Sequence, residues 1–324
     1  MRAATHSRFG IPAEVLEVGE ADLPVPGAGQ IRVKMVMASI HNHDLLTVSG
    51  DYGYKPQLPA YAGTEAMGLV DAVGEGVTHL KVGQRVAVSG AGTWAEYYLA
   101  SAVTAVPLPD SISDEAGAQL ISMPLSALVL LEFVGVQRGG WIIQNAANGA
   151  VGKAVALFAK PRGINVINLV RREGAVSELK ALGIDNAVST SERGWQEKVA
   201  LLTGGAKIEA AVDGVGGSAA SDLLSLLGEN GLLVSFGLMS GRPLELSASD
   251  LIFKQAVVKG FWLSKIAPTL GPEKLMGMIG EIIQRVSSGE LTLPVSDVFP
   301  LSDVSRAVAA AAEPGRLGKV LLKA

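Results

Sequence analysis

The chain has 324 residues, 48% of them hydrophobic and 18% charged, which is enough apolar material for a large core and excludes a disordered protein. A net charge of −4, with no long basic run, excludes a nucleic-acid surface. There is no cysteine, so disulfide frameworks and cysteine-held zinc or iron–sulfur centres are excluded too.

Residues 1–115 read as mostly β. Short strand-like runs at 15–18, 30–38, 68–73, 84–88 and 95–99 are separated by Gly and Pro, as in PVPGAG (24–29) and VGEGV (73–77). Their spacing suggests a compact barrel-like domain, and 41–63 reads as its longest loop, of the kind that holds substrate. The N-terminus lacks the apolar core of a signal peptide. The most apolar segment, 116–136, is interrupted by Gln119, Pro124 and Glu132. It therefore predicts a buried helix and not a membrane span.

After about residue 116 strands and helices alternate. Strands are predicted at 141–144, 165–170, 186–189, 210–213, 232–236 and 257–261, with helices at 151–160, 175–182, 196–203 and 218–227. Units of this size imply an α/β fold with a parallel, doubly wound sheet. Pro161 is the expected stop of the first of these helices. The remaining chain predicts a polar helix (272–288), a strand (294–300), a helix from about 302 and a returning strand (318–324).

The segment WIIQNAANGAVGKAV (141–155) is a strand, a small-residue turn and a helix. Against the dinucleotide fingerprint G-x-G-x-x-G it reads A-x-G-x-x-G. Gly149 stands where backbone approaches a pyrophosphate, Gly152 where helix and strand pack closely, and Ala147 replaces the first glycine. Asn145, Asn148, Ala150 and Val151 belong to the same candidate cradle, since a helix N-terminus offers free N–H groups to phosphate. Some twenty residues on, where an NAD-preferring fold carries an acid, LVRRE puts Arg171 and Arg172. Paired guanidiniums suit the 2′-phosphate of NADPH, and Glu173 keeps NAD in play. Small residues at the next strand ends, VDGVGG (212–217) and SFGLMSG (235–241), let a ligand lie against backbone and add Gly216, Phe236 and Gly237 to the cofactor candidates.

With these motifs in place, the chain resembles the medium-chain dehydrogenase/reductase superfamily over nearly its whole length. Within it, the chain is most similar to the zinc-independent enoyl-thioester reductase and quinone oxidoreductase branch. The matching stretches are SGDYGYKPQLPAYAGTEAMG (49–68), GTWAEY (92–97), QNAANGAVG (144–152), LIFKQ (251–255) and GFWLSK (260–265). The resemblance implies a β-rich, GroES-like catalytic domain (1–118 and 266–324) and a Rossmann NADP-binding domain (119–265). It also implies a homodimer. A cytoplasmic protein with no membrane or nucleic-acid partner is expected.

The zinc alcohol dehydrogenases are the rival branch. Where they place ligands this chain has His41-Asn42-His43-Asp44, Gly63-Thr64-Glu65 and Met123. Threonine and methionine are poor zinc ligands, so no metal site is expected. His41, His43 and Met123 are read instead as substrate-side residues, although the reductases tend to carry Asn-Pro-Ser where the histidines stand. The resemblance further implies NADPH-dependent reduction of an activated C=C bond in an enone, enoyl thioester or quinone. Hydride goes to the β-carbon and a loop tyrosine in a G-x-Y context supplies the proton. Tyr52 matches that position and Tyr54 is the fallback. Phe261 and Trp262 are placed near cofactor, and Trp262 near substrate as well. Quinone reduction, zinc-type alcohol oxidation and NADPH binding without turnover are the alternatives.

Overall fold

The computed structural model describes residues 1–324. It divides into two compact units, Met1–Ser122 with Glu281–Ala324, and Met123–Gly280. The second crossing falls within the helix Pro272–Ser287.

Strands are numbered along the chain. The first stretch holds β1 (Arg2–His6), β2 (Glu17–Glu20), β3 (Gln30–Ser39), β4 (Ala60–Tyr61), β5 (Glu65–Val73), β6 (Arg85–Ser89), β7 (Tyr97–Ser101) and β8 (Val106–Pro107). The middle stretch holds β9 (Trp141–Gln144), β10 (Asn165–Val170), β11 (Ala187–Ser189), β12 (Ile208–Asp213), β13 (Leu232–Ser235) and β14 (Val257–Gly260). The chain then adds β15 (Val295–Pro300) and β16 (Lys319–Lys323).

The first unit is built on a seven-stranded sheet in the order β15-β16-β3-β5-β6-β8, with β7 also on β3, and a small sheet β2-β1-β4. β3 is the spine: antiparallel β5, β7 and β16 all pair with it. Its inward residues Ile31, Val33 and Met35 are buried with Trp94, Tyr98, Val304 and Leu322. Each such aliphatic side chain contributes about 1.5–3 kcal/mol by leaving water. Two close approaches need glycine. A Cβ on Gly68 would lie 2.2 Å from the Lys34 carbonyl oxygen, and one on Gly63 (φ 91°) 2.2 Å from Cδ1 of Trp94.

The second unit is a six-stranded, wholly parallel sheet, β11-β10-β9-β12-β13-β14. This is the Rossmann order 3-2-1-4-5-6, whose direction reverses between β9 and β12. Ile143, Ile167, Ala211 and Leu233 fill one side and Ala156, Val170 and Leu179 the other.

Three local expectations change. The strand expected at 15–18 is the end of a short helix, Pro12–Val15, with proline in its first turn, and β2 begins only at Glu17. The long loop at 41–63 contains a helix, Asn42–Ser49. Pro161 does not stop its helix: Ala150–Arg162 runs past it to the left-handed Gly163. A proline in the last turn removes only one ladder bond, so the glycine sets the end.

Candidate active site

Two sets of candidate residues stand out, one in each unit. In the first, β3 ends at Ser39 and the chain turns into the helix Asn42–Ser49. The Asp44 carboxylate caps that helix by accepting the His41 backbone N–H at 2.7 Å. Its far end closes on Gly50 (φ 87°), after which the N–H groups of Asp51 and Tyr52 both donate to the Leu46 carbonyl, at 2.9 and 3.0 Å. That cap folds Tyr52 back beside His43, with ring centroids 5.8 Å apart. Tyr52 is half-buried, while Tyr54 is 56% exposed.

β5 delivers the other half of the cluster. His41 and Glu65 are fully buried, with Nε2 2.7 Å from Oε2. Ser39 Oγ is also 2.7 Å from that Nε2, and His41 Nδ1 has no hydrogen-bond partner. Glu65 Oε1 accepts the backbone N–H groups of Ile121 and Ser122 at 2.6 and 3.1 Å. Loss of water dominates both groups. It holds the His41 pKa well below the usual imidazole range, with the positive charge of Lys319 adding to the effect, and raises Glu65 to about 7. Half-buried Lys319, from β16, is lowered to about 8, again mainly by burial. His43 stacks on His41 at 5.0 Å, and its Nε2 is 2.7 Å from Thr64 Oγ1, whose hydroxyl donates to Asp44 Oδ1 at 2.5 Å.

In the second unit, β9 leads through Asn145–Asn148 to the helix Ala150–Arg162, with Gly149 as its N-cap. The amides of Ala150, Val151 and Gly152 open that helix, where intrahelical partners are lacking. A Cβ on Gly152 would lie 2.7 Å from Ala147 Cα, so this glycine sets the strand–helix approach. The strained position of the turn is not Ala147, which is buried, but Ala146, at φ 48°. Asn145 is tied to β12: its amide donates to Asp213 at 2.6 Å and its carbonyl accepts the Gly214 N–H at 2.8 Å. Asp213, fully buried, also accepts the N–H groups of Val215 and Gly216. This buried acid orders the VDGVGG turn, a role sequence reasoning missed; an aspartate ending an apolar strand before glycines was its signal.

Asn148 is half-buried and Gly149 exposed. Arg171 and Arg172 are exposed after β10, and Arg172 reaches Glu178 at 3.3 Å. Gly216 is buried with φ 78°; Phe236 and Gly237 are half-buried after β13. Phe261 is buried edge-on against Phe133 at 5.5 Å, and half-buried Trp262 lies under Lys265. Met123 is half-buried in the helix Ser122–Val134. No helix is long and apolar enough to cross a membrane.

Comparison with known proteins finds relatives along the whole chain. The family described as alcohol dehydrogenase GroES-like domain matches residues 27–110, and that described as zinc-binding dehydrogenase matches 150–279. Human mitochondrial enoyl-[acyl-carrier-protein] reductase is 33% identical over 99% of this chain and 88% of its own length. Escherichia coli quinone oxidoreductase, solved in complex with NADPH, superposes with a TM-score of 0.90 at 28% identity, covering all of both chains. The quinone oxidoreductase of Pseudomonas syringae pv. tomato gives 0.88 at 29%, over 100% of this chain and 99% of that one.

The second family's name implies zinc, and the residues do not fit it. No three His, Cys, Asp or Glu side chains gather to hold a metal ion. His41 Nε2 is engaged by Glu65 and Ser39, and His43 Nε2 by Thr64.

Proposed function

Because this chain belongs to the medium-chain dehydrogenase/reductase superfamily and is an oxidoreductase, we propose that it reduces activated C=C bonds of enoyl thioesters with NADPH, and that Tyr52 is the proton donor. The observation that carries this reading is the placement of Tyr52 beside a hydrogen-bonded His43–Thr64–Asp44 chain that leaves no ligand set for zinc. Without a Lewis acid, a conjugated double bond is the easier acceptor, since hydride at the β-carbon moves charge to the thioester oxygen. A phenol, protonated at neutral pH, then supplies the α-carbon proton.

NADPH supplies the hydride when bound. Gly149, Gly152 and the opening amides of Ala150–Arg162 suit its pyrophosphate, and Arg171 and Arg172 its 2′-phosphate. A homodimer and the division into a catalytic and a cofactor domain are part of this reading.

The names of the structural neighbours favour a second reading, quinone reduction. NADPH oxidation, followed by its absorbance, separates the two with a medium-chain trans-2-enoyl-CoA beside a simple quinone, each with and without chelator. For the enoyl reductase, Tyr52→Phe cuts enoyl turnover by about 10²- to 10⁴-fold, the usual worth of positioned proton transfer, and chelator has no effect. Quinone turnover alone, indifferent to Tyr52, moves the protein to the second reading.

A further inference from the structure

His41, His43 and Tyr52 form a run of three rings, with successive centroids 5.0 and 5.8 Å apart and tilts of 17° and 31°. The ends of that run differ: the His41 side chain is sealed from solvent, whereas His43 is 22% exposed. The Thr64 hydroxyl has one proton, and it goes to Asp44 Oδ1. The Nε2 of His43 must therefore be the donor in its 2.7 Å contact with Thr64, which leaves Nδ1 as the accepting atom of the neutral ring. Held this way, the ring can take a second proton only at Nδ1.

We propose that His43 is the proton relay for Tyr52, returning to the phenol the proton it loses in each turnover. This rests on the reading of Tyr52 as the acid. When the C–H bond forms at the α-carbon, the Tyr52 O–H bond breaks and a phenolate remains. His43, having taken a proton from water at Nδ1, passes it to the phenolate oxygen and returns to neutral. Each turnover then consumes one hydride from NADPH and one proton from solvent.

The charges around the ring bear on both states. Asp44 Oδ1 lies 3.7 Å from Nε2, so a carboxylate stands beside the ring. His41, stacked on His43 at 5.0 Å, is held toward its neutral form by burial. Lys319 interacts electrostatically with Asp44 and Glu65, and its positive charge adds to the lowering of His41. Serving as relay needs an ionisable ring at position 43, and neither asparagine nor serine would provide it.

The test uses the full chain with NADPH and a trans-2-enoyl-CoA, comparing wild type, His43→Gln, His43→Ala and Tyr52→Phe. NADPH affinity, first-turnover hydride transfer and the kcat–pH profile are read for each. Expected is that His43→Gln binds NADPH and completes its first turnover within about threefold of wild type, yet loses about 10- to 100-fold in kcat. The limb of the wild-type profile that falls as imidazolium is lost with rising pH is missing from it. Added imidazoles restore turnover to His43→Ala in step with their basicity. NADPH binding reports folding, and Thr64→Val, which removes the anchor, lowers kcat in the same direction should the His43 variants not fold. Unchanged kcat and profile in the His43 variants beside an impaired Tyr52→Phe overturn the relay and keep the acid. First turnover and kcat falling together without imidazole rescue reduce His43 to packing. Wild-type turnover in Tyr52→Phe removes the acid and the relay with it.

Discussion

Glu65 and His41 meet at 2.7 Å with neither side chain reached by solvent, and burial drives both toward their neutral forms. Glu65, raised from 4.5 to about 7, holds a proton in the native state that the unfolded chain releases. Its contribution to stability is therefore present below about 4.5 and lost as pH rises through about 7. His41 runs the other way: below the ordinary imidazole value of 6.5 the unfolded chain takes up a proton that the native state refuses. Glu65→Gln removes the first term and leaves the second. Its unfolding free energy should gain on wild type as pH climbs from about 5 to about 7, by at most about 1.4 kcal/mol per pH unit. A constant gap across that range would show that Glu65 does not titrate there.

The fingerprint turn stores strain at Ala146, whose φ of 48° costs an L-residue about 1–2 kcal/mol. Ala146→Gly relieves it, less the extra freedom glycine gives the unfolded chain, for a net gain of about 0.5–1 kcal/mol in urea unfolding. Gly152→Ala should do the reverse, costing about 2 kcal/mol, because its Cβ meets Ala147 Cα at 2.7 Å.

Asp213 gathers the Asn145 amide and two backbone N–H groups around one buried carboxylate. Asp213→Ala strands all three donors and should cost about 3 kcal/mol or more, with weaker NADPH binding. Asp213→Asn keeps an acceptor oxygen and should lose less than half as much. Equal losses in the two variants would mean that packing, not acceptor chemistry, holds the turn.

On the proposed reading, cofactor choice turns on the two arginines after β10. Charge-assisted bonds to a phosphate are worth about 1.5–3 kcal/mol. Arg171→Ala with Arg172→Ala should weaken NADPH by about 10- to 100-fold while NADH stays within about threefold, as read by fluorescence titration. Parallel loss of both cofactors would place the 2′-phosphate elsewhere.

Much of the parallel-sheet unit is legible because its central strands are continuous apolar runs bounded by polar or small residues. β9 and β10 fall at 141–144 and 165–170, where the sequence puts them. β1 hides because its buried positions are two adjacent alanines and a histidine, which make no alternating apolar pattern. The helix Asn42–Ser49 hides because its start is a His41–Asp44 cap and not a serine or threonine. Individual candidates of the site were legible as residue types, but not their partnership. His41 meets Glu65, and Thr64 joins His43 to Asp44, because the end of β3 pairs with the start of β5, Ala38 opposite Ala66.

The placement of β16 fixes an order of assembly during synthesis. Met123–Gly280 is one continuous piece of sequence, and its sheet has every strand it needs once β14 has been made. The end of β3 must wait: Met37, Ala38 and Ser39 pair with Lys323, Leu322 and Leu321, and the Ile40 N–H donates to Val320. Those residues lead directly into His41 and His43. On a ribosome, then, the parallel-sheet unit can close first, since domains fold as units while the chain emerges. The strand end beside the ring stack, paired on one side by β5, gains its second neighbour only with β16, so a nascent chain carries a finished parallel sheet before that support is complete.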